Sequence, residues 1–287
     1  MTAPLSRSLA ERVVPLPPAA RPEPTWDECR VVAHEPVGDR YHRLTLRAPS
    51  IADRALAGQF VMITIPESTP SRSVLPRPMA VHRRRPAEGV VEIVYGAGGA
   101  GTRALTEVAV GEDLLVTGPL GRGFTLDPGT RRVLVVGRGI GVCSVMGAVE
   151  DAVATGVEVV AVTSARTTEA LVGPGDLAEL GVERVLAVTD EAGDSAVPAL
   201  RSRLAGELAD GPPAQVFVCG SDRLAELCRS LGQEWGARVQ VSLEAHMACG
   251  LGYCHGCATA ATTTGSESPL ICADGPVFAL PTGGGDR

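Results

Sequence analysis

Between Trp26 and Asp127 apolar and polar residues alternate in short bursts bounded by Gly or Pro. Cys29–Ala33 and Tyr41–Arg47 read as strands on either side of a Pro36-Val37-Gly38-Asp39 turn, and Phe60–Ile65, Val90–Tyr95 and Asp113–Thr117 follow. Short strands at this spacing predict a small antiparallel β-barrel. After Asp127 the rhythm changes. Arg132–Gly137 is a near-continuous apolar run, as expected of a strand covered on both faces. Helical patterns over 142–154, 176–180, 196–208 and 221–234 alternate with strands over 157–163, 184–189, 215–219 and 238–243. That alternation predicts an α/β layer with a parallel sheet and crossover connections.

From Glu244 onward the chain is rich in Cys, Gly and Thr and promises little regular structure. The first 25 residues carry six Pro and no clear period, and read as a mobile tail. The expected division is a tail over 1–25, a β-barrel over 26–127, an α/β domain over 128–243 and a Cys-rich segment over 244–287.

Composition narrows the function. The 287 residues include 26 basic and 33 acidic side chains, a net charge of −7, and only 3% are aromatic. No basic field exists to draw in a phosphate backbone or anionic lipid, so nucleic acid and membrane surfaces are excluded as partners. Every basic residue other than His is Arg; a Lys Schiff base and a P-loop lysine are ruled out. No apolar stretch approaches the ~18 residues of a membrane helix, and the N-terminus lacks a compact apolar signal core, so a cytoplasmic location is expected.

Eight Cys are present, at 29, 143, 219, 228, 249, 254, 257 and 272. In a reducing compartment clustered Cys bind metal or do redox chemistry more often than they form disulfides. Cys249, Cys254, Cys257 and Cys272 spell C-x4-C-x2-C-x14-C, the spacing of a plant-type [2Fe–2S] centre. Four thiolates can hold two ferric ions and two sulfides. Gly250, Gly252 and Gly256 would let the backbone close around the sulfurs and aim N–H groups at them. A structural zinc site is the competing reading of the same four thiols. His246 and His255 are expected to be neighbours rather than ligands.

Weaker signals lie upstream. Val133–Val142 runs from a buried strand through Gly137, Gly139 and Gly141 into a helix, a place where N–H groups can meet a pyrophosphate, although the spacing is not G-x-G-x-x-G. Cys219 and Gly220 end a later parallel strand, at the sheet edge where ligands bind in open α/β folds. Cys219 there could face a nicotinamide; Cys29, Cys143 and Cys228 read as small buried apolar residues. Arg166, ending another strand, could meet an adenosine ribose or phosphate, or simply stand in solvent.

In the barrel, Arg77-Pro78-Met79-Ala80 sets an Arg ahead of a rigid extended segment, able to pair a pyrophosphate while the backbone runs along a flat ring. Tyr95–Thr102 is glycine-dense enough to wrap phosphate, or else forms a hairpin loop. Arg83-Arg84-Arg85 reads as a solvated basic run.

Taken in order, the barrel with R-P-x-x and G-T, the α/β layer opening on G-x-G-I-G, the C-G-S strand end and C-x4-C-x2-C…C resemble one family. It is the electron-transfer subunit of heterotetrameric dihydroorotate dehydrogenase, a branch of the ferredoxin–NADP reductase-like flavoproteins. The most specific stretches are Ser242–Cys257 and Ile271–Phe278. The resemblance implies FAD held by Arg77, Pro78, Met79 and Ala80, by Val94, Tyr95 and Gly96, and by Gly101 and Thr102. It implies a [2Fe–2S] cluster on Cys249, Cys254, Cys257 and Cys272, with NAD(H) over Gly137, Gly139, Gly141, Cys219 and Gly220. The partner implied is an FMN-containing catalytic subunit acting on dihydroorotate or a similar small molecule.

No catalytic acid or base is expected on this chain, because the redox chemistry belongs to the cofactors. The chain departs from the family pattern at Ala80, where Ser is usual, and at Arg138, Cys143 and Ser144, which replace Gly, Ala and Pro. Two other readings compete: a stand-alone NAD(P)H reductase serving a ferredoxin or oxygenase, and a zinc-stapled nucleotide-binding regulatory module.

Overall fold

The computed structural model describes residues 8–38, 40–66, 69, 75–261 and 267–282. After a 3-10 turn at Leu9–Glu11 comes a two-residue strand, β1 (Val14–Pro15). The first large unit is then β2 (Thr25–Val37), β3 (Tyr41–Arg47), α1 (Pro49–Arg54), β4 (Phe60–Ile63), β5 (Arg77–Ala80), β6 (Arg83–Arg85), β7 (Val90–Gly96), α2 (Ala100–Thr106) and β8 (Asp113–Leu120). Its seven strands form one antiparallel half-barrel in the order β5-β4-β8-β2-β3-β7-β6. Alternation drives it: Leu114 and Val116 of β8 are buried with Val31, Leu44, Leu46, Val61, Ile63, Val91 and Ile93, while Asp113 and Leu115 face out.

The second unit is β9 (Arg132–Arg138), α3 (Val142–Ala154), β10 (Glu158–Ala165), α4 (Pro174–Glu179), β11 (Arg184–Thr189), α5 (Val197–Glu207), β12 (Gln215–Cys219), α6 (Asp222–Trp235) and β13 (Arg238–Ser242), with β14 (Val277–Ala279) after the Cys-rich stretch. β13, β12, β9, β10 and β11 lie parallel in that order. The unbroken apolar run of β9 is explained by its two faces. Val133 and Val135 pack with Val145, Met146 and Val149 of α3. Leu134 and Val136 pack with Leu200 and Leu204 of α5 and Leu224 and Leu227 of α6.

Two expectations are corrected here. The stretch read as a mobile tail is packed from residue 8: Leu9, Val13 and Leu16 are buried, and β1 pairs antiparallel with β14. Residues 1–7 of that stretch lie outside the described residues. The Cys-rich stretch, in turn, ends in a strand of the second sheet, Val277 pairing with Ser242 and Phe278 with Val241. Residues 243–276 are therefore an excursion between two adjacent strands of one sheet. Its Met247, Cys257, Ile271 and Cys272 share a core with Phe60, Met62 and Leu120 of the half-barrel and Leu227 and Leu231 of α6. The excursion thus seats on both units at once.

A third expectation fails as well. Arg83–Arg85 are not solvated. The Arg83 side chain is 6% exposed and donates to Glu150 of α3 at 2.8 Å and Glu179 of α4 at 3.0 Å. Arg84 reaches Asp151 at 2.6 Å and Arg85 reaches Glu92 at 2.6 Å. Arg43 of β3 joins Glu92 (2.7 Å) to Asp176 (2.9 Å), and the buried His82 ring lies 3.3 Å from Asp176. Burial alone would raise Asp176, but His82 and Arg43 outweigh it and hold the carboxyl at about 2. This network joins β6 of the half-barrel to α3 and α4 of the second unit.

Candidate functional site

Two clefts open along the seam between the units. Cleft 1, about 430 Å³, is walled on the half-barrel side by Arg77, Pro78, Met79, Ala80, Val94, Tyr95, Gly96 and Thr102. These are all but one of the residues expected at the flavin, brought together from β5, β7 and the start of α2. Gly101, the remaining one, stands behind Arg77: a Cβ there would lie 2.7 Å from Arg77 Cδ and 3.1 Å from Nη1. A bare backbone is what lets the arginine lie along this turn. Arg77 Nε donates to Pro76 O at 3.0 Å, and its outer nitrogens meet no carboxylate among the described residues. A cation lining a largely apolar cleft, with no carboxylate partner among the described residues, suits a diphosphate. The far wall, Ile140, Cys143, Ser144 and Ser242–Met247, was not singled out as cofactor-lining by the sequence reading.

Cleft 2, about 420 Å³, lies over the carboxyl ends of β9, β10 and β12 and is lined by Arg138, Gly139, Ile140, Arg166, Thr167, Gly220 and Ser221, with Arg40, Tyr41 and Glu244. Of the residues expected at the nicotinamide nucleotide, Gly139 and Gly220 line it. Gly137 and Gly141 do not; they permit close packing beneath it. A Cβ at Gly137 would meet Val142 Cα at 2.7 Å, and one at Gly141 would meet the Cys219 carbonyl at 2.8 Å. The Cys219 side chain is 1% exposed and lines neither cleft, and burial pushes its thiol up to about 12. Cys29 and Cys228 are likewise buried and pushed up to about 12, and Cys143 is raised by burial. Arg138 does not block the cleft, because its guanidinium is turned onto Asp190 (2.6 Å) and Ser164 Oγ (2.8 Å).

Ile140 and Glu244 belong to both clefts. A molecule in either cleft therefore lies against these same two side chains. Burial raises the Glu244 carboxyl above the ordinary range.

The segment that walls cleft 1 continues directly into the cysteines. Met247 lines the cleft, and Cys249 follows two residues on, at most about 7 Å along the backbone. Burial raises the Cys249 thiol, but amide N–H groups of Leu251, Cys254 and Tyr253 outweigh it and bring it down to about 6; the Leu251 amide lies 3.4 Å from the sulfur. Cys249 also meets the Cys254 side chain. Cys257 meets Cys272, whose amide donates to the Cys257 sulfur at 3.4 Å, and burial with the adjacent Cys257 pushes Cys272 up to about 12.

Gly250 (φ +70°) and Gly252 (φ +88°) adopt left-handed backbone, and a Cβ on Gly250 would strike Met62 Cγ at 2.6 Å. Among the described residues no three His, Cys, Asp or Glu side chains gather around one point as single-ion ligands. The observed pairing, 249 with 254 and 257 with 272, fits a two-iron cluster, whose four thiolates divide between two metals. His255 is exposed beside Glu267, and His246 lines cleft 1; neither joins the thiols. Tyr253, 83% exposed, and the exposed Cys254 mark the outer rim of this loop.

The fold is similar to that of ferredoxin–NADP reductase-like proteins. One chain of an NADH-dependent reduced ferredoxin–NADP oxidoreductase superposes with a TM-score of 0.72 at 24% identity, over 88% of this chain and 87% of that one. Phthalate dioxygenase reductase superposes at 0.58 and 15% identity, over 77% and 70%. Residues 244–281 match the model of the iron–sulfur cluster binding domain of dihydroorotate dehydrogenase B. The dihydroorotate dehydrogenase B (NAD(+)) electron transfer subunit of Streptococcus pneumoniae is 30% identical over 87% of this chain and 97% of its own length. That of Geobacillus thermodenitrificans is 31% identical over 86% and 94%. The chain belongs to this family of electron-transfer subunits.

Proposed function

We propose that this chain carries electrons between NAD(H) and an FMN-containing dihydroorotate dehydrogenase-like catalytic subunit, as one half of a cytoplasmic heterotetramer. Cleft 1 takes FAD, with Arg77 on the diphosphate and Pro78–Ala80, Val94–Gly96 and Thr102 along the ring and its tail. Cleft 2 takes the nicotinamide nucleotide over Gly139 and Gly220. Cys249, Cys254, Cys257 and Cys272 hold a [2Fe–2S] cluster. When bound, the flavin exchanges hydride with a nicotinamide and single electrons with a cluster, which is the chemistry that links a two-electron donor to a one-electron carrier. No helix among the described residues is long and apolar enough to cross a membrane.

The observation that carries this reading is contiguity. The two clefts share Ile140 and Glu244, and the wall of cleft 1 runs within two residues of Cys249. The protein's own part is to place and insulate. Ile140 keeps water from the meeting point, Glu244 stands beside it in both clefts, and the N–H groups around Cys249 stabilise negative charge on its sulfur. The exposed Tyr253–Cys254 rim is the face offered to the catalytic subunit.

Visible absorbance of the purified full chain, before and after NADH, tests the reading. Flavin and iron–sulfur bands that both bleach, with about two iron and no zinc per chain, are the expected result. A colourless, zinc-bearing protein overturns it.

A further inference from the structure

We propose that His34 is a positioning residue for cleft 1: it ties together the two ends of the segment between β7 and β8 whose glycine turn walls that cleft, and so sets how firmly the cleft holds FAD. This rests on reading cleft 1 as the flavin site.

A break in strand register puts His34 where it can act. Directly opposed residues of paired strands share a face. Along β2 and β3, Val31 stands opposite Leu46, Ala33 opposite Thr45 and His34 opposite Leu44. Val31, Leu44 and Leu46 all lie in the half-barrel core. Val32 is left over between Val31 and Ala33, and this extra residue reverses the alternation of the strand. Without it Ala33 would stand opposite Leu44, and His34 would be turned to the other face. On the core face His34 meets Tyr95 of β7, the residue opposite His42 of β3.

Each ring nitrogen of His34 has one partner. Nδ1 lies 2.8 Å from the Val108 carbonyl oxygen, and Nε2 lies 2.8 Å from the Tyr95 hydroxyl. A carbonyl only accepts, so Nδ1 carries a hydrogen and donates it; the neutral ring then accepts the Tyr95 O–H at Nε2. Burial raises the Tyr95 hydroxyl above its ordinary range, which keeps that proton in place. The His42 ring stacks on Tyr95, with centroids 5.5 Å apart and planes 23° apart, and steadies the phenol.

Those two partners are the ends of one excursion. Tyr95 stands at its start and Val108 just past its far end, after α2. Between them Gly96, Gly98, Gly99 and Thr102 line cleft 1, together with Tyr95 itself. The glycine turn is held by little else: Thr102 Oγ1 bonds only within it, to the Gly99 amide at 3.0 Å and the Gly99 carbonyl at 3.1 Å. One imidazole therefore spans the base of a glycine-rich wall. Fixing both ends beforehand removes freedom that the wall would otherwise lose when a ligand binds.

The full chain, stripped of flavin and titrated with FAD, tests this through the dissociation constant and the visible circular dichroism of the bound flavin. His34→Leu should weaken FAD about tenfold and change the dichroism. His34→Gln should stay within about threefold of the parent with the parent's dichroism, because its amide N–H reaches Val108 and its carbonyl accepts from Tyr95. Tyr95→Phe, which keeps the ring and the Val108 bond, should weaken FAD about threefold; it decides the matter should His34→Leu not fold. Parent-like affinity and dichroism in the folded Leu or Phe variant overturn the role of His34 and leave the flavin reading standing. Failure of the folded Gln variant to restore binding overturns the hydrogen-bonded clamp. A parent chain that takes up no FAD overturns the flavin reading and the clamp together.

Discussion

Two sets of arginines meet opposite fates in this fold. Arg83–Arg85 on β6 are drawn into a carboxylate network between the units, with Glu150, Asp151, Asp176, Glu179 and Glu92 around them. Arg40 and Arg166 line cleft 2 and make no ion pair among the described residues. The residue type is the same; what differs is whether the opposite strand or helix supplies an acid. Charge that is satisfied internally holds the units in register, and charge left over is available to a ligand. A buried pair is stabilising mainly in the sense that removing one partner is costly, so the two sets should respond very differently to the same substitution.

The largest effect is expected from Arg83→Ala. It removes the nearer partner of Glu150 (2.8 Å), leaving that carboxylate only Arg84 at 3.3 Å in a site almost closed to water, and should lower unfolding free energy by about 3 kcal/mol. Denaturant melts of the full chain would read this, and a loss under about 1 kcal/mol would break the contrast. Next comes acid. The Asp176 carboxyl is depressed from its unfolded value of about 3.8 to about 2, so its contribution is complete above the unfolded value and disappears as pH falls through the folded one. Stability should fall steeply between roughly pH 4 and 2. The Asp176→Asn variant should be weaker at neutral pH and flatter across that window.

A smaller change sharpens the other side of the comparison. Asp190→Asn releases Arg138 and Arg223 from their shared acid, and because these pairs are partly exposed the loss in unfolding free energy should be about 1 kcal/mol, read by the same denaturant melts. Smallest of all, Arg166→Ala should leave stability within about 0.5 kcal/mol of the parent, since its guanidinium makes no hydrogen bond or ion pair among the described residues.

Local signals were legible in the sequence and distant pairings were not. The cluster spacing is readable because all four thiols lie on one short stretch whose glycines do what the spacing requires. The run Val133–Val136 is readable because burial on both faces leaves a continuous apolar string. By contrast, the partners of Arg83 lie 67 and 96 residues away, and nothing near a triple arginine reveals them. β1 and β14 escaped notice because two and three residues carry no period, and their strand character comes entirely from the neighbour they pair with. The short helices α1 and α2 are absent from the sequence reading for the same reason. Cys219 ends β12 at the carboxyl edge of the parallel sheet, but its side chain packs into the core with Val145 and Met146 and lines neither cleft, because both faces of this strand are covered. Glu244, at the junction of both clefts, was read only as the start of a new segment.

The pairing of Ser242 with Val277 makes the iron-binding stretch a bridge with both abutments built into the same sheet. Its ends are held together by ladder bonds whether or not metal is present, so ligation has little chain entropy left to overcome. Loss of iron should therefore slacken the span while the two piers stand. Cutting the chain before the span would instead remove β14, the strand that β1 leans on, and expose the flank of β13.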